Sequence, residues 1–148
     1  VDRVETFKFV ILTIFTYGMF STYWLGKLNK NFQQSFKSRI VSEGLIITLG
    51  IFSFIEIFFL GIAVDAGLDG DFQGLSDFNW ISYVGLWGYI ITGIIIAFHI
   101  KNEISMVYIK QKIKFENNPV YNFNIFFTIL FGVMYVCYKL NKIQKFIK

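Results

Sequence analysis

The chain has 148 residues, of which 55% are hydrophobic and 16% are charged, whereas a soluble domain is roughly 45–50% apolar and about 25% charged. This composition argues against a soluble protein. The net charge of +4 is not carried by a soluble basic domain, which excludes nucleic acid as a partner. The single cysteine, Cys137, excludes a disulfide framework and a thiolate metal cluster within one chain, and no cofactor is expected. We predict one integral membrane domain covering residues 1–148.

The first apolar segment, residues 9–26, is borderline in length for a membrane-crossing helix, which needs about 20 apolar residues. Gly18 lies near its centre, and Thr16 is one of several hydroxyl residues around it. Glycine adopts backbone conformations that other residues resist, and hydroxyls can satisfy carbonyl groups that a turn sets free. The segment therefore either turns back at Thr16 and Gly18, or places these small residues at close helix contacts.

A basic linker follows at residues 27–42, with Lys27 and Lys30 at the membrane surface. Apolar side chains recur in it at every fourth position, namely Leu28, Phe32, Phe36 and Ile40. The lysines fall elsewhere on the helical wheel, and this pattern predicts an amphipathic helix lying in the interface.

Residues 44–64 and 80–100 are long enough for two complete crossings. The stretch between them, residues 65–79, holds four aspartates and no Lys or Arg, and we expect it to be a solvated loop. All 14 Lys and Arg lie outside residues 41–100, and basic loops stay on the cytoplasmic side. The acidic loop is therefore predicted outside the cell and both termini in the cytoplasm.

The last apolar segment, residues 121–138, contains an uninterrupted apolar stretch that is too short to cross. Pro119 separates it from a helix that we expect to continue from the third segment through residues 101–114. Gly132 lies within it and can permit a second turn. Lys139 and Lys142 then return to the membrane surface.

The charges discriminate between two topologies. Four spanning segments would place eight basic residues on one side and six on the other, whereas two turning segments would place fourteen on one side. The positive-inside rule favours the second arrangement. We therefore predict an all-α membrane protein with two full transmembrane helices and two short segments that are re-entrant or half-inserted, or else a four-helix bundle.

The two short segments share further sequence features. Lys27-Leu28-Asn29-Lys30 is echoed by Lys139-Leu140-Asn141-Lys142. The run of residues 16–24, Thr-Tyr-Gly-Met-Phe-Ser-Thr-Tyr-Trp, resembles the Thr-x-Gly-x-Tyr-x-x-Tyr-Trp core of small prokaryotic membrane proteins of the domain of unknown function 4234 family. It departs at Phe20, where Tyr is usual, and at Tyr138, where the family more often has Gln nearby. The resemblance implies a multi-pass protein of the prokaryotic inner membrane with no assigned activity.

Glu56 is the strongest candidate for a functional residue, because a carboxylate inside a membrane segment is costly. Counting about 1.5 Å per residue along the two spans places it near Trp87 and Tyr89, either of which can donate a hydrogen bond to it. Three interpretations remain open: a neutral packing residue, a site for an ion, proton or substrate, and a salt bridge to a partner subunit.

The sequence contains no nucleophile triad, no paired carboxylates, no phosphate-binding loop and no Cys/His cluster. We therefore expect a protein that is not an enzyme but an accessory or structural subunit. Its expected partners are the lipid bilayer and either another membrane protein or further copies of itself. The alternative is a small homo-oligomeric transporter or channel that uses Glu56.

Overall fold

The computed structural model describes residues 5–36, 39–110 and 124–144. These residues form five α-helices and no strand, which confirms the predicted all-α class. The helices are α1 (Thr6–Phe15), α2 (Met19–Phe36), α3 (Glu43–Leu68), α4 (Phe72–Lys110) and α5 (Ile125–Gln144).

Helices α3 and α4 form the central antiparallel pair, and both are long and apolar enough to cross a membrane, as predicted. At about 1.5 Å per residue, the 26 residues of α3 and the 39 residues of α4 give lengths of about 39 Å and 58 Å. A hydrocarbon core is only about 30 Å thick. Both helices are therefore longer than the hydrocarbon core is thick, and α4 is almost twice as long.

Small residues on α4 bring this pair into close contact. A Cβ atom on Gly85 would lie 2.6 Å from the backbone nitrogen of Glu56, and one on Gly88 would overlap the Phe52 ring. Ser82 donates a hydrogen bond from Oγ to the backbone oxygen of Glu56 at 3.2 Å. The two backbones can approach this closely only because α4 presents small side chains at these positions.

The expected solvated loop at residues 65–79 is wrong in extent, because most of it is helical. Helix α3 continues to Leu68 and α4 begins at Phe72, which leaves a turn of residues 69–71. Gly70 adopts a φ of 80° in this turn, and Asp71 Oδ1 accepts a hydrogen bond from Gly74 N at 3.0 Å. The end of the apolar run marks where a bilayer would end, whereas the helix continues until an aspartate can cap the next one.

The first short segment breaks into two helices that fold back on each other. Helix α1 ends at Phe15, and the break contains two positive φ angles, 47° at Tyr17 and 87° at Gly18. The rings of Phe9 and Trp24 then meet edge to face with centroids 4.9 Å apart. In one continuous helix these residues would be about 22 Å apart along the axis. We call the pair of α1 and α2 the first hairpin.

Helix α5 contains a comparable break. Gly132 has φ 46° and ψ −123°, which no α-helical residue adopts. Phe127 and Tyr135 stack with ring centroids 5.8 Å apart, and Asn124 N donates a hydrogen bond to the Tyr135 hydroxyl at 3.1 Å. In a straight helix residues 124 and 135 would be about 16 Å apart. Helix α5 is therefore a second hairpin, with arms at residues 125–131 and 133–144.

The predicted amphipathic helix at residues 27–42 is also wrong in extent. Its first part lies in α2, which ends at Phe36, and its last part is not helical. Ile40 and Val41 are fully buried, and their amides donate to Asn29 Oδ1 at 3.0 and 3.2 Å. A continuing helix would have left Val41 on its polar face, whereas the bend buries both side chains.

Of the predicted extension at residues 101–114, residues 101–110 are helical and the rest lie outside the described residues.

Both hairpins pack against the same end of the central pair. We call this end, residues 43–53 of α3 and 89–110 of α4, the packed half, and residues 54–68 and 72–88 the bare half. In the described chain the buried apolar core lies in the packed half, with Phe9, Trp24, Leu25, Leu28, Leu49, Ile96, Ile100, Ile104, Val136 and Cys137 as members. The bare half buries only Glu56, Ala63 and Ser82 among its described side chains. The first short segment is thus broken at Gly18 and the second at Gly132.

Candidate functional site: the polar contacts at the hairpin tips

The tip of the first hairpin is bound to α4 by a chain of hydrogen bonds. Ser21 Oγ donates to the Gly18 carbonyl at 2.7 Å and lies 2.7 Å from the Tyr89 hydroxyl. A serine hydroxyl has one proton, and Ser21 gives it to Gly18. Tyr89 is therefore the donor to Ser21, and the chain runs from Tyr89 through Ser21 to the backbone of the break.

Gly18 meets two independent requirements at this tip. Its φ of 87° is in the region that favours glycine. A Cβ atom there would also overlap the Tyr89 ring and lie 2.9 Å from Ser53 Oγ. The backbone of the break is therefore pressed directly against the central pair.

Thr16 connects the two helices across the break. Its Oγ1 donates to the Leu12 carbonyl at 2.6 Å and accepts from Phe20 N at 3.0 Å. One hydroxyl thus satisfies a carbonyl at the end of α1 and an amide at the start of α2. The Phe20 amide lies in the first turn of α2, whose N–H groups have no intrahelical partner, whereas the Leu12 carbonyl also accepts from Thr16 N at 3.0 Å.

The tip of the second hairpin meets α4 one helical turn further along. A Cβ atom on Gly132 would lie 3.6 Å from the backbone carbon and oxygen of Gly93, which is an ordinary contact. Gly132 is therefore required for its backbone angles and not for lack of space. Both tips reach α4 between Tyr89 and Ile94, which is the middle of the predicted span at residues 80–100.

Glu56 lies in the bare half, and neither predicted donor binds it. The glutamate is 9% exposed and lies opposite Gly85. Trp87 is 60% exposed on the outer surface, and the Tyr89 hydroxyl is hydrogen-bonded to Ser21. The expected pairing is wrong because it assumed a long loop, whereas the three-residue turn shifts the register of α4 by about one helical turn.

The basic residues lie at the open ends of the hairpins. Lys27 and Lys30 are exposed on α2 and flank the buried Leu28 and Asn29. Lys139 Nζ lies 5.7 Å from the centroid of the Tyr135 ring, which is a cation–π contact. The side chain of Lys142 lies outside the described residues.

The arrangement has the chemistry of a packing site. Over residues 5–36, 39–110 and 124–144, no group of three or more His, Cys, Asp or Glu side chains could hold a metal ion. Cys137 is buried in the core. The hydroxyls at the first tip bind each other and the backbone, and they position the hairpin.

Sequence reasoning missed the role of Asn29 and the pairing of Ser21 with Tyr89. The sequence did contain an indication of the role of Asn29, because this polar residue lies on the same helical face as the apolar residues Trp24, Leu25 and Leu28. The Ser21–Tyr89 pair joins residues 68 positions apart and has no local signal. Comparison of the chain with protein-family models, with curated proteins and with solved structures gave no match. The family resemblance of residues 16–24 therefore stays a prediction.

Proposed function

We propose that this chain is a non-catalytic integral membrane protein that acts by docking onto lipids and partner membrane proteins. The observation that carries the proposal is the exposure of its two long helices. Only 17% of the apolar window of α3 and 33% of that of α4 is buried against the rest of the structure. The central helix of a soluble protein would be covered by its neighbours, and large exposed apolar surfaces mark contact with a membrane or a partner.

The exposed residues form a continuous stripe on each helix. On α3 these residues are Ile47, Ile51, Phe54 and Phe58, and on α4 they are Trp80, Val84, Trp87, Ile91 and Ile95. At about 1.5 Å per residue the α4 stripe is about 22 Å long, which is most of a hydrocarbon core of about 30 Å. Such stripes are suited to acyl chains or to the helices of another membrane protein.

We place both hairpins half-way into the bilayer from the side that carries the basic residues. Helix α1 has ten residues and is therefore about 15 Å long, which is half of a core of about 30 Å. Backbone that turns within a membrane must have its polar groups satisfied by protein, and Thr16 and Ser21 do this at the first tip. Under the positive-inside rule, this side is the cytoplasm and residues 69–71 are outside, and the family resemblance of residues 16–24 implies that the cell is prokaryotic.

The docking proposal predicts a companion molecule. We would extract the chain from its native membranes in polymer-bounded lipid discs and determine the mass of the intact particle by native mass spectrometry. The expected result is a stoichiometric protein partner, a second copy or a set of retained lipids that dissociates only when the fold is lost. Particles that hold one copy of the chain, no second protein and only lipids that exchange freely with added lipid would contradict the proposal.

The transporter alternative has one observation in its favour, namely the carboxylate of Glu56 at the contact of α3 with α4. Two helices do not enclose a path, so transport would need further copies around Glu56. Ion and proton flux into proteoliposomes should be the same for the wild type and for Glu56→Gln. Flux that the wild type supports and Glu56→Gln abolishes would overturn the non-catalytic docking proposal in favour of transport.

A further inference from the structure

We propose that the chain is an asymmetric wedge, wider in one leaflet than in the other, which concentrates on membranes whose hairpin-bearing leaflet is convex. The partner is a lipid leaflet under curvature. This inference rests on the proposed membrane placement and adds to it a preference for membrane shape.

The number of helical elements differs between the two halves of the molecule. Within residues 5–36, 39–110 and 124–144, a section through the packed half crosses α1, α2, α3, α4 and the two arms of α5, whereas a section through the bare half crosses only α3 and α4. A helix with its side chains is about 10–12 Å wide, so four further elements add roughly 300–450 Å² of cross-section. This area is displaced from one leaflet only.

The depth of the hairpins corresponds to one leaflet. The tips contact α4 at Tyr89 and Gly93, midway along its apolar span, and helix α1 is about 15 Å long from its start to the break. The hairpins therefore end where the second leaflet begins. Beyond them, α3 and α4 continue without any covering element among the described residues.

The outer surfaces of both hairpins are apolar as far as their tips. Exposed side chains there include Phe7, Ile14 and Phe15 on α1 and Phe126, Ile129 and Leu130 on α5. Between the hairpins lies an open groove of about 740 Å³, lined by Val10, Ile14, Phe127 and Phe131 among others. Acyl chains are the occupant that suits these surfaces, because the basic residues Lys8, Lys27 and Lys30 lie at the open ends, at the level of anionic headgroups.

A wedge imposes its shape on a membrane only if its parts are held together. The first tip is attached to α4 through Tyr89 and Ser21, and the second lies against Gly93. Phe9 and Val136 from the two hairpins are fully buried in one core with Ile100 of α4. The two hairpins and the packed half of the central pair thus share one core. The molecule cannot become narrower there by separation of the hairpins.

The test measures protein density on single vesicles of different size. The chain carries Asp69→Cys in the turn as its dye site, since Cys137 is buried, and is inserted into preformed vesicles of phosphatidylethanolamine and phosphatidylglycerol. When the chain inserts from outside, the packed half occupies the convex outer leaflet and the labelled turn enters the lumen. A quencher added outside the vesicles then cannot reach the dye. We expect the density per membrane area to be several-fold higher on the smallest vesicles than on the largest.

Lysine substitutions at the two hairpin tips and beside the turn separate the wedge from general membrane affinity. Ile14→Lys with Leu130→Lys puts one charge near each tip, at side chains that are 61% and 60% exposed, and should lift the hairpins and abolish the size dependence. Leu68→Lys, at a position that is 82% exposed beside the turn, should retain it. Circular dichroism checks that each variant keeps its helical content.

The two proposals fail in different ways. Equal wild-type density on all vesicle sizes, or loss of the size dependence in Leu68→Lys as well, would overturn the wedge and leave the membrane placement intact. A wild-type chain that does not float with vesicles after an alkaline wash would overturn the membrane placement itself.

Discussion

Replacing Gly18 with alanine should be the most damaging single-methyl change in the first hairpin. The residue has a φ of 87°, and an alanine Cβ would overlap the Tyr89 ring and approach Ser53 Oγ to 2.9 Å. Either the break must change its backbone angles, or the hairpin tip must move away from α4. Both responses weaken the contact through which Tyr89 and Ser21 attach the hairpin.

The magnitude follows from these two effects. A left-handed backbone angle costs a non-glycine residue roughly 1–2 kcal/mol, and overpacking of a buried contact costs about 1–3 kcal/mol. We therefore expect Gly18→Ala to lower the free energy of unfolding by about 2–5 kcal/mol. In Gly132→Ala the new Cβ atom would overlap no neighbouring atom. This variant should therefore lower the free energy of unfolding by about 1–3 kcal/mol, through backbone strain alone.

A third glycine supplies the control. A Cβ atom on Gly26, within α2, would meet nothing within 4 Å, and alanine is better than glycine in a helix by about 1 kcal/mol. Reversible unfolding in mixed micelles, followed by circular dichroism, should rank the variants Gly26→Ala, Gly132→Ala and Gly18→Ala from most to least stable. A Gly18→Ala variant as stable as Gly132→Ala would refute the argument that the tip is pressed against Tyr89.

The same unfolding assay tests three further contacts. Ser21→Ala removes the acceptor of the part-buried Tyr89 hydroxyl and should cost about 1–3 kcal/mol, and combining it with Tyr89→Phe should cost less than the sum of the two single changes. Thr13→Val should leave stability unchanged or raise it by about 1 kcal/mol, because Thr13 Oγ1 is buried without a hydrogen-bond partner in the described part of the chain. Asn29→Ala leaves two buried amides unpaired and should cost about 1–3 kcal/mol with faster proteolysis of residues 39–42, whereas Asn29→Asp keeps an acceptor oxygen and should be milder. Equal stability of the two Asn29 variants would contradict this assignment.

The two long helices could be predicted from the sequence because their signal is local. A long run of apolar residues predicts a helix long enough to cross a membrane without reference to distant parts of the chain. The positions of the helix breaks could also be predicted, since Gly18 lies inside an apolar segment of borderline length for a crossing and Gly132 inside one that is too short. Charge sorting then suggested that both segments return to the side from which they enter.

The contacts of the candidate site could not be predicted, because they depend on register. The depth of Glu56 was counted from the end of an apolar run, and α3 continues past that end to Leu68. Glu56 therefore lies opposite Gly85, and the Tyr89 hydroxyl pairs with Ser21. The predicted amphipathic helix extended to residue 42, whereas α2 ends at Phe36. Periodicity alone does not show that the Asn29 side chain accepts hydrogen bonds from the backbone amides of a bend.

The most direct test of the account is the side of the membrane on which each end of the first hairpin lies. Cysteines introduced one at a time at Glu5, Lys30 and Asp69, beside the buried Cys137, would be treated with a membrane-impermeant maleimide in intact cells and again after permeabilisation. We predict labelling from outside at Asp69 alone, with Glu5 and Lys30 both labelled only after permeabilisation. Labelling of Glu5 from outside while Lys30 stays protected would show that the first segment crosses the membrane, and would contradict the two-span architecture.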